Sequence, residues 1–93
     1  MVVREADRLI VTAPLIMDNA RGLLEAGRDA LLEGEQVIDL GQVVEADSSA
    51  LAVMLGWMRA ASLSRSTLKF ANIPAGVRSL AELYGVTELL PLA

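Results

Sequence analysis

The chain has 93 residues, a net charge of −4 and a pI near 4.6, which makes it one small acidic domain spanning residues 1–93. It lacks the clustered Lys and Arg that phosphate backbones and acidic lipids require, which speaks against nucleic acid and acidic lipid surfaces as partners, and no direct membrane insertion is expected. It has no Cys and no His, so no disulfide, thiolate nucleophile or zinc site can be built.

The N-terminus, "MVVREADRLIVTAP", places charges inside each short apolar run. This does not suit a signal peptide or an anchor, and no segment reaches the ~20 apolar residues of a membrane span, so a cytoplasmic protein is expected. Val2–Val3 and Leu9–Thr12 read as short β-branched strands around a polar turn, Glu5 to Arg8, and Pro14 closes the second. From Asp18 the spacing becomes helical through Ala20, Leu23, Leu24, Ala26, Ala30, Leu31 and Leu32. Asp18 or Asn19 is expected to cap this helix, and Gly34 to end it.

Gln36 to Leu40 reads as a third strand, and Gly41 to Ala46 leads into Asp47-Ser48-Ser49 and a long apolar helix to Ser62. Thr67 to Ala71 is a fourth strand. Pro74 suits the start of a helix from Ala75 to Tyr84 that Gly85 stops, and Val86 to Leu92 is expected to fold back as a last helical turn or two. Strands alternating with helices predict an α/β domain whose central sheet is covered by helices.

At 100° per residue the helix after Asp47 has two faces. Ala50, Leu51, Val53, Met54, Leu55, Trp57, Met58 and Ala61 fall on a broad apolar side, with Trp57 at its edge between core and surface. The other side holds Ser48, Ser49, Ala52, Gly56, Arg59 and Ala60. A solvent-facing helix ordinarily carries Lys, Glu and Gln there. Small, uncharged residues instead let another backbone approach closely, which points to a partner docking along Asp47, Ser48, Ser49, Ala52, Gly56 and Arg59. Gly56 fits that account, because in a helix interior it costs roughly 1 kcal/mol relative to Ala. Asp47, Ser48 and Ser49 are each good N-capping residues, so local capping is the competing explanation for the head of this side.

The strand "VIDL", the helix "DSSALAVMLGWMRAA", the strand "TLKFANIP" and the helix "VRSLAELYGV" resemble the STAS domain, named for sulphate transporters and anti-sigma-factor antagonists. The segment Leu80 to Pro91 is most similar to the MlaB-type subunit of the bacterial phospholipid-transport ABC system. The resemblance implies a four- or five-stranded mixed sheet with helices mainly on one side, and a domain that performs no catalysis. In anti-sigma-factor antagonists the serine directly after the Asp is phosphorylated by a partner kinase, and that position is Ser48. In MlaB-type subunits the matching Thr or Ser contacts the transporter's ATPase.

Two departures stand out. Ala50 replaces a frequent Gly, and in "VTAPLIMD" Ala13 and Ile16 stand where the family has Gly and Asp. Losing the acid at position 16 weakens the case for phosphoregulation by a sigma-factor kinase.

The expected function is therefore a non-catalytic cytoplasmic subunit that binds the ATPase of an ABC phospholipid transporter maintaining outer-membrane lipid asymmetry. It would reach the inner face of the inner membrane through that partner, with no cofactor and no metal. The alternatives are an anti-sigma-factor antagonist switched at Ser48 or, more weakly, a nucleotide-binding domain. No Gly-rich phosphate loop supports the last. An enzyme is not expected, because Asp7, Asp18, Asp29 and Asp39 are scattered as caps, turn residues and solvated charges with no catalytic spacing.

Overall fold

A computed structural model describes all residues, 1–93. β1 (Val2–Glu5) and β2 (Arg8–Val11) form an antiparallel hairpin that turns through Ala6, whose φ of 55° is left-handed. A 3-10 turn at Met17–Asn19 leads into α1 (Ala20–Ala30), which returns the chain to β3 (Gly34–Asp39), parallel to β2. α2 (Ser49–Leu63) then crosses to β4 (Ser66–Ala71), parallel to β3, and α3 (Ala75–Leu83) follows.

The strand order is β1-β2-β3-β4. Both crossovers step the same way across the sheet, so two connections of the usual right-handed sense lay their helices on one face. The core lies there: Leu9, Val11, Ile38, Leu68 and Phe70 from the sheet meet Leu23, Val53, Met54, Trp57 and Val77 from the helices. The opposite face carries an Arg8–Asp39 ion pair at 2.9 Å and a looser Lys69–Glu35 pair at 3.8 Å. This agrees with the expected mixed sheet and one-sided helices. A rudimentary fifth position is present, because Phe70 N–H donates to Pro91 O and Ala93 N–H donates to Phe70 O at the outer edge of β4.

The expectations for the two ends of α1 are corrected. α1 starts at Ala20 and neither Asp18 nor Asn19 caps it with a side chain; Asn19 Nδ2 donates to Pro14 O instead. Its end also comes before Gly34, because Leu31 is extended and the Arg4 guanidinium takes over Ala30 O at 2.7 Å. Gly34, with φ of 93°, opens β3. The C-terminal segment makes one helical turn as expected, a 3-10 turn at Thr87–Leu89, before pairing with β4.

Arg4 also donates to Gln36 Oε1 at 3.0 Å, and Gln36 Nε2 donates to Glu35 O, so the one buried polar side chain is satisfied. Trp57 is fully buried, and its indole N–H donates to Leu23 O at 3.0 Å. The ring lies on Gly27 of α1: a Cβ there would sit 2.6 Å from Cε2 and 2.8 Å from Cδ1. Trp57 is thus a core residue that joins the two long helices.

Candidate functional site

After β3 the chain turns at Leu40, whose carbonyl accepts from Val43 N–H, and buried Val43 anchors the loop. The next residue, Val44, is forced outward and is 95% exposed. The loop is then bound to the segment after β2: Leu15 N–H donates to Glu45 O at 2.9 Å, and Asp47 N–H donates to Leu15 O at 3.0 Å.

Asp47 completes this junction. Its Oδ2 accepts from Met17 N–H at 3.0 Å, and its Oδ1 accepts from Ser49 N–H at 2.8 Å and from the Ser49 hydroxyl. One carboxylate therefore caps α2 and fixes the 3-10 turn before α1. These hydrogen bonds, that from the Ser49 hydroxyl first, hold the Asp47 carboxyl below its ordinary value.

The three candidate capping residues thus divide their roles. Asp47 caps, Ser49 is a donor to it, and Ser48 makes no capping bond. Ser48 has a helical backbone, with φ of −63° and ψ of −19°, and is exposed at the head of α2. Below it Ala52 and Arg59 are exposed on the same side. A shallow depression beside Ser48 is lined by Ile16, Met17, Asp18, Glu45, Ala46 and Asp47.

Ala60 and Gly56 depart from the two-face reading. Ala60 is buried, and a Cβ at Gly56 would meet Leu24 Cδ1 at 2.6 Å. Gly56 is small because α1 of the same chain approaches it, so its size is no sign of an outside partner. The exposed line shortens to Ser48, Ala52 and Arg59, with Asp47 and Ser49 supporting its head.

Sequence reasoning missed two features near this end. Met17 is 71% exposed and, with Val44, gives the acidic rim of Asp18, Glu45 and Asp47 an apolar component. Each ends a short apolar run, Leu15-Ile16-Met17 and Val43-Val44, directly before an acidic residue, and nothing local says which member of the run is turned out. Asp39, read as a solvated charge, instead gathers Arg8, Asn72 Nδ2 at 3.0 Å and Gly41 N–H at 2.8 Å. Burial pushes its carboxyl up, but the hydrogen bonds from Asn72, Gly41 and Arg8, with the Arg8 charge, outweigh burial and hold it below its ordinary value.

Both depressed carboxyls give stability that is complete above the unfolded aspartate value, 3.8, and is lost as pH falls through the folded values. Chemical denaturation followed from pH 6 to pH 2 should therefore show a falling midpoint below about pH 4. Asp47→Asn and Asp39→Asn should each flatten that fall; an unchanged slope in both variants would refute the assignment.

The family model described as "Mlab, STAS domain" matches residues 3–91. The chain belongs to the STAS domain family. No curated protein matches this STAS domain. Among solved structures it is similar to a proposed anti-sigma factor antagonist from Thermotoga maritima, with a TM-score of 0.74 and 17% identity, covering 99% of this chain and 83% of that one. An anti-sigma-factor antagonist domain protein from Planctomyces limnophilus follows, with a TM-score of 0.71 and 16% identity over 99% and 86% of the two chains. Unphosphorylated SpoIIAA, an anti-sigma factor antagonist, has a TM-score of 0.71 and 14% identity over 100% and 86%. At these identities the likeness establishes a shared fold. No helix of the STAS domain is long and apolar enough to cross a membrane.

Proposed function

We propose that this STAS domain is a non-catalytic subunit that binds the ATPase of an ABC phospholipid transporter through Ser48, Ala52 and Arg59, and so supports maintenance of outer-membrane lipid asymmetry from the cytoplasmic side. The observation that carries the reading is the head of α2. Asp47 and the Leu15 pairing fix the backbone there, while Ser48 and Ala52 present small, exposed surface that a partner can approach closely. A preformed contact of this kind loses little conformational entropy on binding. The MlaB description of the matching family model supports the choice of partner.

The second reading is an anti-sigma-factor antagonist phosphorylated on Ser48. The fold likeness and the uncommitted Ser48 hydroxyl favour it. Against it, Asp18, Glu45 and Asp47 lie beside the site and Ile16 lines the same depression, so a phosphate dianion would meet like charge.

Calorimetric titration against the ATPase subunit of such a transporter from the same organism tests the first reading. Ser48→Arg and Ala52→Glu are both surface changes and should each weaken binding by about tenfold or more while the thermal melt is kept, since close contacts at an interface centre are worth upwards of ~1.4 kcal/mol. Gly56→Leu is unsuitable, because it would displace Leu24 within the domain itself. Wild-type affinity in both surface variants would reject the interface. A mass gain of one phosphate at Ser48, on incubation with ATP and a neighbouring kinase, would favour the second reading instead.

A further inference from the structure

The side of α2 that faces α1 carries a groove of about 440 Å³. Leu24, Gly56 and Ala60 form its floor, Arg28 and Arg59 stand on its two sides, and Leu63 lies at its lower end, 81% exposed. Neither arginine has an ion-pair partner, since the pairs in the molecule are Arg8–Asp39 and Lys69–Glu35.

Beyond the groove the charges are mixed. Arg21 lies two turns from Arg28 on the same side of α1, with Glu25 at i+4 from the first and i−3 from the second but in no ion pair, and Asp29 falls further round that helix, away from α2. At the lower end Ser66 Oγ donates to Leu32 O and Gly34 N–H donates to Arg65 O, which brings exposed Leu32, the cation Arg65 and the acid Glu33 beside the end of α2. The groove itself is thus lined by two arginines without an ion-pair partner and by no acidic residue, and the acidic rim of Asp18, Glu45 and Asp47 lies at the other end of α2.

We propose that the groove between α1 and α2 is a second docking site, which takes an apolar side chain flanked by Asp or Glu from a segment of the partner protein. The proposal rests on the reading that the α2 face meets a protein, and adds the chemistry of a second contact. The apolar residue would cover Leu24 and Leu63, and the flanking carboxylates would pair with Arg28 and Arg59, for which guanidinium geometry is well suited. A protein segment is favoured over a lipid surface, because exposed Glu25, Asp29 and Glu33 are interspersed with the arginines and the chain carries a net charge of −4, which an anionic lipid surface would repel.

The test places the photocrosslinker p-benzoylphenylalanine at position 63, and separately at position 52, in the full chain in its host cell. Crosslinked segments are identified by mass spectrometry. The crosslink from position 63 should fall on a segment with an apolar residue between acidic ones. Arg28→Glu, which lies outside the Ser48–Ala52–Arg59 face, should cut its yield by about tenfold, as loss of a paired charge at an interface does, while the crosslink from position 52 and the thermal melt persist. A lipid adduct, a segment without acids, no crosslink at 63, or a yield unaffected by charge reversal would each overturn the groove proposal. A crosslink from 52 to the ATPase with none from 63 would sink the groove and spare the ATPase reading. An acidic segment of a different protein at 63, with no ATPase at 52, would do the reverse.

Discussion

Trp57→Ala should lower the unfolding free energy by about 3–5 kcal/mol, the usual cost of truncating a buried aromatic side chain to Ala. The ring is fully buried, it joins α1 to α2, and its N–H is used by Leu23 O. Small domains hold roughly 5–15 kcal/mol in total, so the variant should be marginally folded at room temperature. Urea denaturation followed by circular dichroism checks this, since the variant loses the chain's one tryptophan. A loss below about 1 kcal/mol would mean that the indole is not the joint between the helices.

Gly27→Ala should destabilise the wild-type chain by about 1–3 kcal/mol, even though Ala is the better helix former, because the added methyl would enter the space held by the Trp57 ring. The indole cannot move freely, being packed between the sheet and α1. The sign should reverse in a Trp57→Ala background. There the clash is gone, and Gly27→Ala should regain up to ~1 kcal/mol from helix propensity. A double-mutant cycle measures this coupling directly. Equal effects in the two backgrounds would show that Gly27 is small for a reason other than the ring above it.

Much of the architecture was legible in the sequence because it depends on local spacing. β-Branched runs gave the strands, and helical recurrence gave α1, α2 and α3. Pro74 marks the start of α3, and Gly85, with φ of 69°, lies just past its end. The end of α1 was misplaced because its last carbonyl is taken by Arg4, distant in sequence, and a local stop signal could not report that contact.

The site was legible in part. The position of Asp47-Ser48-Ser49 at the head of an apolar helix could be read directly, but the division of labour among the three could not. Asp47 is committed by Met17, which lies 30 positions earlier, and that pairing leaves Ser48 exposed and without a capping role. Arg8 and Asp39 likewise meet only because β2 and β3 are aligned in parallel with Ile10 opposite Asp39.

By itself, the sequence determined the order of elements, the family and most of the apolar face of α2, with Ala60 assigned to the wrong side and Trp57 left at the edge. A side chain's position along a regular helix or strand follows from its own periodicity, which needs no knowledge of neighbours. Only the tertiary structure decided what each face meets. Gly56 and Gly27 look alike as small helical residues, yet one accommodates Leu24 and the other Trp57, both within the chain. Close packing is a property of two surfaces at once, so the meaning of a small residue is settled by the element laid against it.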